Sequence, residues 1–507
     1  MNRLGDWLFA LAAVLLAACY GVVYWRAALS PLEFDEAYNL QVVASLARGW
    51  GYASFGAMQG TEGFLFDPYI STGPVVVLPG VLPWLAGGGY SWLVRVVPLG
   101  YFTLLLGVLF GFTRQFWGRW TGLAVTATPL LLNVGQPDLI TSGLVPGRFI
   151  GEFAALGLLL AAAWAAANSR IALAGLLAGL SCQAKSVFVL GGAILLVAWW
   201  VAYWLGCRRP DWWAGVRGAG AAIAPTLAFE CYRLIGLGSW RAYRENLDLL
   251  GRFLASQRNP PQFRPERLGA LAELFTTPGM LVLVGALLIG VLAALWPPPV
   301  RTGARRARRA GGSAAVCGHD RARMAVVCWA GLLGFGFVLL YLWIWQASQG
   351  SHRQALPFLL IAYPLAVLVA CVVAERAWPH LAGRLKPLIV VLVLLAGLAQ
   401  GLRAWQYRGA EQALTEQQQA ARVVERSGTE SLAIYRGWFQ LPEYQLLTGI
   451  PHDRTPGVAG PRVDVYTDLM ALVILADEGH DARSFLPRCR GRRVLFQSAT
   501  VVVCERA

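Results

Sequence analysis

Gly73-Pro-Val-Val-Val-Leu-Pro-Gly-Val-Leu-Pro-Trp-Leu-Ala-Gly-Gly88 is apolar throughout, and whether it crosses a bilayer decides the orientation of everything after it. It is short for a span, since crossing the hydrocarbon core takes roughly 20 helical residues. Pro74, Pro79 and Pro83 also interrupt helical hydrogen bonding along it. The segment is therefore read as re-entrant or surface-lying, inside a long first external loop at residues 26–91. A true crossing is the main rival topology.

The rest of the chain makes this a membrane question. Of its 507 residues, 57% are hydrophobic and only 14% are charged, and the mean hydropathy of +0.52 moves it out of the soluble class. Apolar stretches recur from Trp7 to Leu402, and in lipid such stretches must be helical to satisfy their own backbone groups. Spanning helices are expected near 7–25, 92–112, 120–134, 151–167, 171–184, 187–206, 214–235, 269–296, 324–345, 355–374 and 387–402. The fold class is mainly α: a polytopic helical domain over 1–402 with about eleven transmembrane helices. Arg3 before the run Leu8–Val23 is read as an uncleaved first helix, because no small-x-small site is followed by a convincing mature start.

A net charge of +15 would suggest nucleic acid in a soluble protein. Here the arginines occupy short loops between apolar runs, so membrane lipid is the expected partner and nucleic acid is not. With a cytoplasmic N-terminus, Arg114 and Arg119, Arg208 and Arg209, Arg376 with Arg384 and Lys386, and the run from Arg301 to Arg323 all fall inside, as the positive-inside rule asks. This places the protein in the plasma (inner) membrane. The nine cysteines form no C-x-x-C pair and no ligand-like spacing with histidine, which argues against structural zinc.

From Arg403 the sequence turns polar and mixed. Glu411–Glu425 has helical character, and Ser431–Tyr435, Arg462–Tyr466 and Arg493–Phe496 have strand character. Residues 403–507 are read as a small α/β domain on the external side, where Cys489 and Cys504 are disulfide candidates.

The densest polar constellation in the apolar half is Pro31-Leu-Glu-Phe-Asp-Glu-Ala-Tyr38, directly after the first helix. Asp35 could cap a helix running to about Arg48; alternatively, Asp35 and Glu36 could serve as a general base or metal ligand at the membrane surface. On the expected topology Asp67, Asp138, Arg148, Glu152, Lys185, His352 and Arg353 reach the same face. Acids beside cations near headgroups suit a reaction in which a hydroxyl loses its proton while a phosphate departs. Structural roles compete with this: Lys185 could snorkel, Arg148 could anchor to lipid phosphate, and Glu152 could pair with Arg148 across one helical turn.

These residues resemble the GT-C glycosyltransferases, and within them the bacterial relatives of protein O-mannosyltransferases and the lipid A aminoarabinose transferase (glycosyltransferase family 39-like). The resemblance rests on Phe34-Asp35-Glu36-Ala37, Thr72-Gly73-Pro74, Arg148-Phe-Ile-Gly-Glu152, Gly179-Leu-Ser-Cys-Gln-Ala-Lys185 and His352-Arg353-Gln-Ala-Leu-Pro357, and covers roughly residues 1–400. It implies an inverting transfer from a polyprenyl-phosphate-linked sugar donor to an acceptor lipid, glycan or protein. Asp35 is then the general base, with Glu36 beside it. Asp67, Asp138 and Glu152 fall in the acceptor or metal neighbourhood, and Arg148, Lys185, His352 and Arg353 hold the donor phosphate. The carboxylates admit a divalent cation, Mg²⁺ or Mn²⁺, without fixing a coordination geometry. A transporter or flippase is the leading non-enzymatic alternative, and a membrane assembly factor is a third.

Overall fold

Lipid offers backbone N–H and C=O groups no partner, so each apolar run closes its hydrogen bonds on itself. The computed structural model describes residues 3–54, 66–70, 72–132, 147–207, 212–256, 261–269, 321–346, 354–377, 389–399, 409–435, 442–449, 462–467, 482–498 and 501–505. Its membrane domain comprises α1 (Arg3–Ala28), α2 (Phe34–Ala47), the broken helix α3 (Pro74–Val77) and α4 (Val81–Ala86), α5 (Val96–Trp117), α6 (Arg119–Leu131), α7 (Glu152–Ala167), α8 (Ile171–Ala184), α9 (Phe188–Cys207), α10 (Trp212–Leu237), α11 (Trp240–Ser256), α12 (Arg321–Ile344), α13 (Ala355–Ala377) and α14 (Ile389–Ala399). The expected span at 269–296, apart from Gly269, and the arginines at 301–309 lie outside the described residues.

Two contacts fix which ends share a surface. Arg95, in the turn that opens α5, donates from Nη1 to the carbonyls of Ala27 and Ala28 at the end of α1, each at 3.0 Å. The end of α1 and the start of α5 therefore lie on one side, which a single crossing by 73–88 does not allow. Residues 74–86 instead pack against α2 and α8. At the opposite ends, Asp6 near the start of α1 pairs with Arg119 at the start of α6, at 2.6 Å.

Among the described residues, Leu4–Ala28, Trp92–Trp117, Arg321–Ile344 and Ala355–Val373 are long and apolar enough to cross a membrane by length and composition. α6, α7 and α8 coincide with expected spans but are shorter. For α7 the reason is position: its side chains are buried along nearly the whole length, from Glu152 to Ala167. A helix enclosed by protein is not obliged to match the thickness of the lipid.

Packing without a hydrophobic drive between helices depends on close approach, which small residues allow. α8 carries Gly175 and Gly179, and the parallel α10 presents Gly218 and Ala222. A Cβ added at Gly175 would sit 2.0 Å from the Gly218 carbonyl oxygen, and one at Gly179 2.2 Å from that of Ala222. The seam ends in a hydrogen bond from Gln183 to Thr226 at 2.8 Å.

The C-terminal region contains α15 (Gly409–Arg426), β1 (Ser431–Tyr435), α16 (Pro442–Thr448), β2 (Arg462–Thr467), a 3-10 helix (Ala482–Cys489), β3 (Val494–Gln497) and β4 (Val501–Glu505). Its sheet has the order β1-β2-β4-β3, with β1 and β2 parallel and the other pairs antiparallel. Val424 of α15 packs on Val463, Val465, Val501 and Val503. A disulfide joins Cys489 to Cys504, Cα atoms 6.0 Å apart. β4, buried from Val501 to Cys504, is a strand that the sequence reading did not separate.

The glycine seam yields a direct test. Gly179→Ala drives a methyl group into a backbone carbonyl, and overpacking of this kind costs about 1–3 kcal/mol. A lower melting temperature in detergent micelles is expected, with Gly220→Ala, whose Cβ meets nothing within 4 Å, as the unaffected control.

Candidate active site

Helix α2 follows α1 after a short connector at residues 29–33, and Pro31 biases the residue before it towards extended backbone. Glu33, with φ −104° and ψ 160°, is the N-cap, and the helix begins at Phe34. This corrects the expectation that Asp35 caps the helix. Asp35 and Glu36 stand inside the first turn, where the positive end of the helix dipole favours acids. Asp35 is half-buried and Glu36 is fully buried.

Glu36 meets Arg95 in a two-pronged pair: Nε donates to Oε1 and Nη2 to Oε2, both at 2.9 Å. Burial raises the Glu36 pKa, and the Arg95 charge and hydrogen bonds pull it back down. The remaining Arg95 donors reach Ala27 O, Ala28 O, Ser30 O, Ser30 Oγ and Pro31 O. One guanidinium thus holds the end of α1, the connector and the first turn of α2.

Further along α2, the inward side chains of Tyr38 and Asn39 each fix a different stretch of loop. Tyr38 donates to Asp67 Oδ2 at 2.6 Å, and Asp67 also accepts from the Ser54 hydroxyl and from the Tyr69 backbone N–H. Burial pushes the Asp67 pKa up while these three donors lower it. Asn39 donates to Thr72 Oγ1 at 3.0 Å and to the Phe149 carbonyl at 2.7 Å. α2 is therefore the hub around which the loop ends at 67–73, 92–95 and 147–152 are registered.

Arg148 and Lys185 also fall here. Arg148 pairs with Glu33, Nη1 to Oε2 at 3.0 Å, and its charge is felt at Glu36. Lys185 pairs with Glu152 at 3.0 Å, both side chains nearly buried. The alternative pairing of Glu152 with Arg148 is thus not the one adopted. The reason is backbone placement: Lys185 forms a bridge with Thr72, and Gly73 N donates to Ala184 O at 3.1 Å. The same loop lies against Gly151, where an added Cβ would be 2.1 Å from Ala184 O.

The Glu152–Lys185 contact is an ion pair at 3.0 Å, and neither buried Glu152 carboxylate oxygen has a hydrogen-bond partner among the described residues. Among the described residues no three or more His, Cys, Asp and Glu side chains gather as metal ligands. Asp138, His352 and Arg353 lie outside the described residues, and Cys489 and Cys504 belong to the C-terminal region, in its 3-10 helix and in β4.

Sequence reasoning missed Arg95, Asn39 and a buried cluster at the end of α10. There Arg233 donates from Nε to Asn246 Oδ1 at 2.9 Å, and Asn246 donates to Phe66 O at 2.8 Å. The Arg233 guanidinium also lies over the rings of Phe66 and Tyr243, at 5.4 and 5.6 Å. A signal for Arg95 did exist: a lone arginine opening an apolar run is costly in lipid unless partnered.

No protein-family model matches the sequence, and no curated protein does. Among solved structures, the chain is similar to ArnT from Cupriavidus metallidurans in the apo state, with TM-score 0.61 and 11% identity over 99% of this chain and 98% of that one. It is also similar to ArnT bound to undecaprenyl phosphate, with TM-score 0.57 and 11% identity over 98% of each chain. The chain therefore has the fold of ArnT over nearly its whole length.

The geometry supports two tests. Arg95→Leu strands a buried carboxylate and should cost about 3–5 kcal/mol of stability, partly recovered by adding Glu36→Leu. Lys185→Met should likewise destabilise, and Glu152→Gln in the same chain should restore most of the loss. Thermal unfolding in detergent reads both.

Proposed function

We propose that this protein is an integral membrane glycosyltransferase that moves a sugar from a polyprenyl-phosphate donor to an acceptor on the extracytoplasmic face. The observation that carries this reading is the end-to-end likeness to a protein solved with undecaprenyl phosphate bound. Carboxylates and cations converging on one end of the helix bundle support it. A transporter has no comparable need to concentrate acids in the first turn of a single surface helix.

In the proposed reaction the half-buried Asp35 accepts the proton of an acceptor hydroxyl. That oxygen attacks the anomeric carbon, and the bond from this carbon to the carrier phosphate oxygen breaks with inversion. The electron pair leaves on the phosphate, whose growing charge Arg148 and Lys185 offset. Both cations are already held near carboxylates, so an arriving phosphate competes for them with Glu33 and Glu152. His352 and Arg353 are retained as further donor-phosphate ligands, and Asp138 as an acceptor-side residue.

Glu36 plays a different part in this scheme. With both oxygens on Arg95, it fixes the turn that carries Asp35 and leaves the proton transfer to its neighbour. Asp67, held by three donors, shapes the acceptor side. No step is routed through Mg²⁺ or Mn²⁺. The acceptor is a lipid, glycan or protein hydroxyl.

The decisive experiment is transfer from radiolabelled polyprenyl-phosphate sugars in proteoliposomes, comparing the intact protein with Asp35→Asn at matched abundance and folding. General-base removal predicts a loss of about 10²–10⁴-fold in turnover. Equal transfer by both proteins would reject Asp35 as the base. Transfer by neither, over a broad panel of donors and acceptors, would favour transport.

A further inference from the structure

Residues 29–33 are neither helix nor strand, so their backbone groups need partners from elsewhere. Arg95 takes the carbonyls of Ser30 and Pro31, and Glu33 O accepts the first helical bond, from Ala37 N at 2.8 Å. Leu32 is held from the C-terminal region. Its N–H donates to Gln417 Oε1 and its carbonyl accepts from Gln417 Nε2, both at 2.9 Å.

Gln417 is only 1% exposed and lies on α15, 385 residues along the chain from Leu32. A buried primary amide must satisfy both an acceptor and a donor. One peptide edge supplies the pair, as a neighbouring strand would. A second contact meets α2 further along: Gln41 Nε2 donates to Gln445 Oε1 on α16 at 3.1 Å, both side chains buried. Leu446 and Leu447 of α16 pack against the membrane core.

We propose that Gln417 is a positioning residue: its grip on Leu32 fixes the connector and first turn of α2, so the C-terminal domain sets the rate of transfer from outside the membrane bundle. The inference rests on the reading of the Asp35 turn as the reacting site. Displacing a reacting group by about 1 Å costs roughly 10²-fold, and partial release of one turn should cost somewhat less.

The test uses the full-length protein in proteoliposomes. Gln417→Leu removes both hydrogen bonds and leaves no buried charge. The expected result is kcat lower by about ten- to a hundredfold, KM for donor and acceptor within about twofold, and faster hydrogen exchange at the Leu32 amide. Gln417→Glu, which can still accept from Leu32 N but not donate to Leu32 O, should fall between. Gln412→Leu, at an exposed position on the same helix, should match the parent. Unchanged kcat in Gln417→Leu, or a kcat loss accompanied by a matching fall in melting temperature, overturns the proposal. So does a Leu32 amide that stays protected, and this exchange measurement needs no substrate. Asp35→Asn run in parallel separates the two claims: a dead Asp35→Asn beside a normal Gln417→Leu removes the positioning role and leaves the base in place.

Discussion

A guanidinium buried at a membrane surface must find partners for all its N–H groups, because water is not there to take them. Arg95 meets this demand with one carboxylate, one hydroxyl and four backbone carbonyls. Two of those carbonyls belong to the last turn of α1, whose unsatisfied oxygens form the negative end of the helix. The same group therefore neutralises a helix terminus, orders the connector and orients α2. Without that knot α2 loses its fixed angle to the bundle, and the loops that Tyr38 and Asn39 hold lose their common reference.

Much of the architecture could be read from the sequence because lipid enforces it. α1, α5, α7 to α10, α12 and α13 begin and end within a few residues of the expected spans, since an apolar run bounded by polar residues has one stable form in a bilayer. The small C-terminal sheet was visible for the same kind of reason, as short alternating runs between turns. The pairings were not visible. Glu152 meets Lys185 and Arg148 meets Glu33 because the chain at Thr72 bridges the chain at Lys185 and because Gly73 and Gly151 let the loop at 183–185 come close. Those contacts join residues far apart in sequence, and no periodicity encodes them.

The cations of the site are distributed in a way that bears on how it handles an anionic ligand. Arg95 is committed to structure, with its charge cancelled by Glu36. Arg148 faces Glu33 and Lys185 faces Glu152, each at 3.0 Å. In the proposed reaction these two cations, and not Arg95, would meet the carrier phosphate, so the ion pair that orders the connector would stay in place.

The span between Leu32 and Gln417 also carries information about synthesis. A ribosome moving at about 5–20 residues per second needs on the order of half a minute to a minute to pass from one to the other. During that interval the Leu32 peptide lacks the side chain that supplies its donor and its acceptor. On the proposed reading, a nascent or truncated protein holds the acids of the first turn of α2 without their final geometry, and transfer waits until residue 417 has been made and folded.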